Sequence, residues 1–329
     1  MKFLSIACLL TSTLIAALHP PKLKEGDLIA FVFPAFFLEN PASDILKQKA
    51  LWLEERGFQV IYYPETFHLD GYFSGTDEDR AQALMSAWKN DAVKAIWCFR
   101  GGYGSQRLLN LLDYDWIRNH PKIFIGMSDI TALHSAIGQK TGLVTYLAPV
   151  FNYFNESKST FDASYAFSSL LESIMDQNGE EITLPLASEL QTLRPGKAEG
   201  ELVGGNLTLI ASLCGTPWQM DTKGKILVLE EVGERLYRVD RLLWQLKEAG
   251  MFDHLAGLIL GDFTDIQPHT KNTFTLDEVF DHYFGNCPFP VLKNFPTGHG
   301  DFQTTLPLHS EIEIDGDLQT VRAIVKRQL

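Results

Sequence analysis

The four cysteines, Cys8, Cys98, Cys214 and Cys287, stand far apart in the chain. No disulfide framework and no Cys-x-x-Cys ligand pair follows from such spacing, and Cys98 and Cys214, in apolar segments, read as buried free thiols. A His-Glu-x-x-His helix is also missing, so neither a metal nor a cofactor is expected. Basic charge is scarce: 28 Lys and Arg face 41 Asp and Glu, a formal net charge of -13. Nucleic acid is excluded as a partner, because phosphate binding needs clustered Lys and Arg. A small, neutral or cationic substrate suits the balance better. No internal repeat or low-complexity tract occurs. The apolar run from Phe3 to Leu18 falls short of the roughly 20 residues that a membrane span requires. It follows Lys2, precedes Pro20-Pro21 and carries Ala16-Ala17 near its end, which together read as an export signal over residues 1–18. An uncleaved N-terminal anchor is the alternative reading, and stable membrane insertion of the mature chain is not expected.

With 329 residues and 45% hydrophobic composition, the chain can bury cores for two domains. Apolar strand patterns at 28–33, 58–63, 93–99 and 123–127 alternate with helical patterns at 43–56 and 77–89, from about Gly104, and after Ser128. Such βαβα alternation predicts a doubly wound parallel sheet, here an α/β domain over 19–160. A segment over 161–199, helical near 161–175 and ending in Pro195-Gly196, reads as the connection. The remainder, 200–329, carries strand patterns at 226–231, 258–261, 311–314 and 321–325 and helical patterns at 206–213 and 238–249, which predict a β-rich α+β domain.

Functional groups of an open parallel sheet gather where strands end and helices begin. Ser128 stands at such a junction, between the apolar run Lys122-Ile-Phe-Ile-Gly-Met127 and Asp-Ile-Thr-Ala. It can act as a helix N-cap, or as a nucleophile whose oxyanion is met by the N–H of Asp129. A second strand end opens into Arg100-Gly-Gly-Tyr-Gly-Ser105, where close glycines let backbone N–H groups approach a ligand and Arg100 can pair with a carboxylate. A nucleophilic serine needs a histidine held by a carboxylate. His299 is set between glycines in Phe295-Pro-Thr-Gly-His-Gly300, whereas His134 lies on the helix after Ser128 and His68, His120, His269 and His282 occupy polar contexts. Glu230 ends the apolar run Ile226-Leu-Val-Leu229. Glu231 is its rival, since neighbouring strand residues face opposite sides.

Taken in order, Arg-Gly-Gly-Tyr-Gly (100–104), Gly-Met-Ser-Asp-Ile-Thr (126–131), Gly-Gly-Asn-Leu (204–207), Gly-Thr-Pro-Trp (215–218), Ile-Leu-Val-Leu-Glu (226–230), Tyr-Arg-Val-Asp-Arg (237–241) and Gly-His-Gly (298–300) resemble the motifs of the LD-carboxypeptidases, serine peptidases of the muramoyltetrapeptide carboxypeptidase type. The resemblance runs from about Pro21 to the C-terminus. It implies a Ser128, Glu230, His299 triad, an oxyanion hole formed by the backbone N–H groups of Gly102 and Asp129, substrate contacts from Arg100 and Tyr103, and an active site between the two domains. It further implies release of the terminal D-alanine from peptidoglycan tetrapeptide stems through an acyl-enzyme, without metal, in a chain that pairs as a homodimer. Residues Phe33-Pro-Ala-Phe-Phe37 depart from the small, serine-containing turn of relatives. The export signal implies a periplasmic location. Two other readings stand beside this one: the microcin-immunity branch, which cleaves peptidyl or aminoacyl adducts of a nucleotide, and a non-catalytic exported peptide-binding protein on the same frame; Phe151, Tyr153 and Phe154 are aromatics that could serve either enzyme.

Overall fold

The computed structural model describes residues 17–37, 44–63, 68–154, 160–175, 182–183, 190–268, 270 and 274–324. The expected export signal lies outside them except at its last two positions, and His269 lies outside them as well.

The first layer system is built from β1 (Leu28–Val32), α1 (Asp44–Glu54), β2 (Gln59–Tyr62), a small hairpin of β3 (Leu69–Asp70) and β4 (Phe73–Ser74), α2 (Asp77–Lys89), β5 (Val93–Cys98), α3 (Tyr114–Asn119), β6 (Ile123–Gly126), α4 (Thr131–Thr141) and β7 (Thr145–Leu147). The strands β2, β1, β5, β6 and β7 lie side by side in that order, all parallel, with Leu306–Leu308 added antiparallel at the β7 edge. Chain order reverses between β1 and β5. Their carboxyl ends therefore leave a crevice, the usual position of a ligand in this topology. Near-continuous apolar strands such as Ile123–Gly126 are required because both faces are covered; Ile125 and Phe124 each pack into a different core cluster.

One departure from the sequence reading lies directly after β5. The helix expected from Gly104 is a single 3₁₀ turn, Ser105–Leu108. Asp113 then caps α3 by accepting from Trp116 N. No helix dipole of useful length follows the glycine loop.

The chain continues through α5 (Ala163–Ile174), β8 (Ile182–Thr183), β9 (Gln191–Arg194), β10 (Lys197–Asn206), α6 (Leu207–Leu213), β11 (Ile226–Val232), α7 (Leu236–Glu248), β12 (Gly257–Thr264), α8 (Leu276–Phe284), β13 (Val291–Lys293), β14 (Leu306–Leu308), β15 (Glu311–Asp315) and β16 (Thr320–Ala323). The second sheet has the order β8-β16-β15-β10-β11-β12-β13-β9. Its centre, β10 to β13, is parallel, and antiparallel strands form both edges. The sheet-rich half is thus mixed α/β, with α6, α7 and α8 supplying apolar faces to a core of their own. Strand β10 has no apolar pattern in the sequence because three glycines and three charges interrupt it. Those glycines serve close approach: a Cβ on Gly205 would meet Thr131 Oγ1 at 2.5 Å, and one on Gly204 would strike the Val228 carbonyl.

The two halves are tied by the last strands. After β14 the chain turns at His309, a non-glycine residue at φ 65°. His309 Nδ1 lies 2.8 Å from Glu201 Oε1 and its Nε2 3.2 Å from the His134 carbonyl on α4. Lys225 adds a 2.9 Å ion pair to Glu201. Burial works against ionised Glu201, but His309 and Lys225 outweigh it and hold the carboxyl at about 2, below the ordinary 4.5. Burial pushes His134 down to about 4 from 6.5. Across the interval from about pH 6.5 down to 2 these two groups bind more protons in the unfolded chain than in the folded one, so their contribution to stability is lost as pH drops through it. The expected result is that Glu201→Gln flattens the lower part of this loss, between pH 4.5 and 2, when melting temperature is followed against pH by calorimetry.

Candidate active site

The candidate catalytic residues stand at the carboxyl ends of parallel strands of both sheets. Ser128 follows β6 with φ 63°, in a left-handed conformation that costs a non-glycine residue about 1–3 kcal/mol. The N-cap alternative is not realised: Met127 and Ile130 are the caps of the 3₁₀ turn and of α4, and neither start has a side-chain cap. The strained turn raises the serine from the sheet edge toward Gly101, on which a Cβ would sit 3.2 Å from that of Ser128.

Asp129 is fully buried, and its carboxylate faces the glycine loop. Oδ2 accepts from Ser105 N at 2.8 Å and Oδ1 from Gly104 N at 3.3 Å, while Ser105 Oγ donates to the Asp129 carbonyl. Burial pushes this carboxyl up, with the bonds from Ser105 and Gly104 pulling against it. The side chain therefore fastens the loop after β5 to the serine turn and occupies the N–H groups at the start of the 3₁₀ turn. The N–H groups of Gly102 and Asp129, by contrast, reach no protein acceptor among the described residues. Gly102 has φ 117° and is overlain by Phe36, whose ring a Cβ would strike. This is where the unusual Phe33–Phe37 segment acts: it roofs the loop, and Arg100 Nη1 donates to the Phe37 carbonyl at 2.9 Å. Tyr103 stands beside Phe73 and Tyr72, with ring centroids 5.7 and 6.1 Å away, and is about a third exposed (37%).

On the second sheet Glu230 follows the apolar run Ile226–Leu229 of β11, inside its buried part. Its Oε2 lies 2.6 Å from Nδ1 of His299, in the loop after β13. Glu230 is fully buried and its Oε1 has no hydrogen-bond partner among the described residues. Two glycines shape this contact. A Cβ on Gly298 would lie 2.8 Å from both Cβ and Oε2 of Glu230, and Gly298 also has φ 122°; one on Gly261 would lie 3.4 Å from Glu230 Cβ. Gly298→Ala is expected to part the pair, seen as loss of the far-downfield proton resonance of a carboxylate-bound imidazole N–H.

Glu231 faces the other way. Its carboxylate takes Asn206 Nδ2 at 3.2 Å, Thr208 N at 2.9 Å, Thr208 Oγ1 at 2.7 Å and Val232 N at 2.9 Å. It holds the start of α6, so the alternation along β11 separates a carboxylate bound to histidine from one bound to backbone.

The serine turn and the Glu230–His299 pair are linked by two residues that sequence reasoning left without a role. Thr131, one turn after Ser128, accepts from Asn206 N through Oγ1 at 2.9 Å, and Asn206 is the register partner of Glu230. A third unassigned residue is Asp262, on β12, whose Oδ2 accepts from Gly300 N at 3.1 Å. Its signal in the sequence was the one that marked Glu230, a carboxylate closing an apolar run. Of the described cysteines Cys98 is buried, whereas Cys214 and Cys287 are half-buried; all are free thiols. Among the described residues no cluster of His, Cys, Asp and Glu is arranged to hold a metal ion.

A two-domain α/β frame with a strained serine on one sheet and a Glu–His pair on the next defines the class of protein to compare. Residues 29–148 match the model of the LD-carboxypeptidase N-terminal domain, and residues 199–314 that of the LD-carboxypeptidase C-terminal domain. A probable murein peptide carboxypeptidase of Bacillus subtilis is 38% identical over 293 residues, 88% of this chain and 89% of its own. The murein tetrapeptide carboxypeptidase of Pseudomonas aeruginosa is 32% identical over 88% of this chain and 93% of its own. A solved microcin C7 self-immunity protein, in complex with glutamyl sulfamoyl guanosine, superposes with TM-score 0.84 at 27% identity, covering 94% of this chain and 99% of that one. The chain belongs to the LD-carboxypeptidase family of peptidases.

Proposed function

We propose that the protein is a serine carboxypeptidase that releases the terminal D-alanine from peptidoglycan tetrapeptide stems. The observation that carries this reading is the buried 2.6 Å contact of Glu230 with His299, on a sheet whose Asn206 bonds Thr131, directly after the serine's 3₁₀ turn. In the reaction His299 Nε2 takes the Ser128 proton as Oγ adds to the peptide carbonyl. Glu230 holds the Nδ1–H tautomer and stabilises the imidazolium that forms. The N–H groups of Gly102 and Asp129 donate to the oxyanion, which costs no reorganisation because neither has an acceptor to leave among the described residues. His299 returns the proton to the departing amine, and water then repeats the sequence on the acyl-enzyme. Arg100 and Tyr103, on the rim of the glycine loop, contact the substrate. No metal takes part. In this reading the chain is exported to the periplasm, where it meets wall peptides, and forms a homodimer through the outward face of α7, which exposes Tyr237 and Trp244.

The experiment is release of D-alanine from a purified wall tetrapeptide by the wild-type chain in the presence of chelator. Release that chelator leaves unchanged supports the proposal; a folded but inactive wild type sinks it. The second reading, cleavage of aminoacyl-nucleotide adducts, is favoured by the fold match to the self-immunity protein and by the aromatic side chains of Tyr153 and Phe161 beside His299. Acyl sulfamoyl nucleotides that bind tightly while wall peptides do not would select it. Pure peptide binding, the third reading, has no use for the Glu–His pair, and Ser128→Ala would then leave all function intact.

A further inference from the structure

Beside His299 opens a cavity of about 590 Å³ whose walls include Asp262, Asp265, Asp301, Tyr153, Phe161 and Phe302. Among the described lining residues there are three aspartates and no lysine or arginine. Hydrolysis by a serine and a Glu–His pair requires none of these aspartates. Asp262 is the most constrained of them. Its N–H donates to the Thr297 carbonyl at 2.8 Å, its Oδ2 accepts from Gly300, and a Cβ on Gly300 would press on the carboxylate at 2.5 Å. The histidine loop thus fixes the carboxylate at the cavity wall, while its Oδ1 meets no donor among the described residues. Burial, with Glu230 and Asp301 adding repulsion, pushes this carboxyl up to about 7 against the pull of the Gly300 bond and His299. An anion entering the cavity would add to that repulsion. A cation relieves it, fills the vacant acceptor, and finds aromatic faces at the same wall.

We propose that this cavity is the ammonium subsite of the enzyme and that Asp262 is its specificity-determining residue, accepting from a primary ammonium carried by the acyl part of the peptide, such as the side-chain amine of a diamino acid. A primary ammonium is compact and offers three donors, matching one open carboxylate oxygen with others at the rim. The terminal carboxylate of the same peptide is repelled by this wall and is left to the Arg100 side. The inference rests on the carboxypeptidase reading and supplies what that reading lacks, a reason for the choice of third residue.

The test uses a wall tetrapeptide with L-lysine at its third position and the same peptide acetylated on the lysine amine, which removes the charge. Wild type is expected to prefer the free amine by about tenfold or more in kcat/KM, the scale of one charge-assisted hydrogen bond. Asp262→Asn is expected to bring the two peptides to near equality. A structural role for Asp262 would instead lower both in proportion and keep the preference, which overturns the proposal. Equal cleavage of the two peptides by wild type overturns it too, and leaves the carboxypeptidase reading standing. Cleavage of neither peptide defeats that reading, and the subsite is then judged by calorimetry on Ser128→Ala: tighter binding of the free amine upholds it, and equal or absent binding overturns it.

Discussion

Ser128→Ala is expected to reduce kcat for D-alanine release by about ten-thousandfold to a millionfold, the range seen when one member of a serine hydrolase triad is removed. The residual rate would come from the Gly102 and Asp129 N–H groups, which the substitution leaves in place. Backbone geometry adds a second readout. Ser128 holds φ 63°, and its strain of about 1–3 kcal/mol is sustained by the Asp129 bonds to the glycine loop. Glycine adopts that conformation without strain, so Ser128→Gly should be inactive yet melt no lower than wild type, although glycine ordinarily costs an ordered position stability. A serine that merely filled space would show neither signature. If Ser128→Ala kept more than about a tenth of wild-type kcat, a nucleophilic role for Ser128 would be untenable.

Ser128, Glu230 and His299 stood out as candidates because each closes an apolar strand or sits among glycines, but it was the family resemblance, not the local pattern, that joined them as a triad. The doubly wound half was legible because its strands, covered on both faces, are unbroken apolar runs. Strand β10 was hidden by the very residues that place it: Gly204 and Gly205 are required by the Val228 backbone and by Thr131, partners far away in sequence. The helix expected after Gly104 is only the 3₁₀ turn Ser105–Leu108, and its leading N–H groups are met by Asp129, 24 residues on from Ser105. Local pattern also could not choose between Glu230 and Glu231, because both are buried; what separates them is the identity of the atoms facing them.

That difference gives opposite outcomes for two isosteric changes one residue apart. In Glu230→Gln the amide oxygen can still accept from His299 Nδ1, and the amide nitrogen takes the place of Oε1, which has no partner to lose. The fold should be retained, while the imidazolium formed in the reaction loses its compensating charge. A fall in kcat of about ten-thousandfold is expected, as when the carboxylate of a serine protease triad is made an amide. In Glu231→Gln the reverse holds. Four donors, from Asn206, two groups of Thr208 and Val232, converge on two carboxylate oxygens, and an amide sets its own donor against two of them. Leaving such buried donors unmet costs about 1–3 kcal/mol, so this variant should melt at lower temperature and, where folded, keep kcat within about tenfold of wild type. Melting curves and steady-state rates on the same two preparations decide the matter. A ten-thousandfold loss in Glu231→Gln with Glu230→Gln active would transfer the orienting role to Glu231 and remove the 2.6 Å contact from the mechanism.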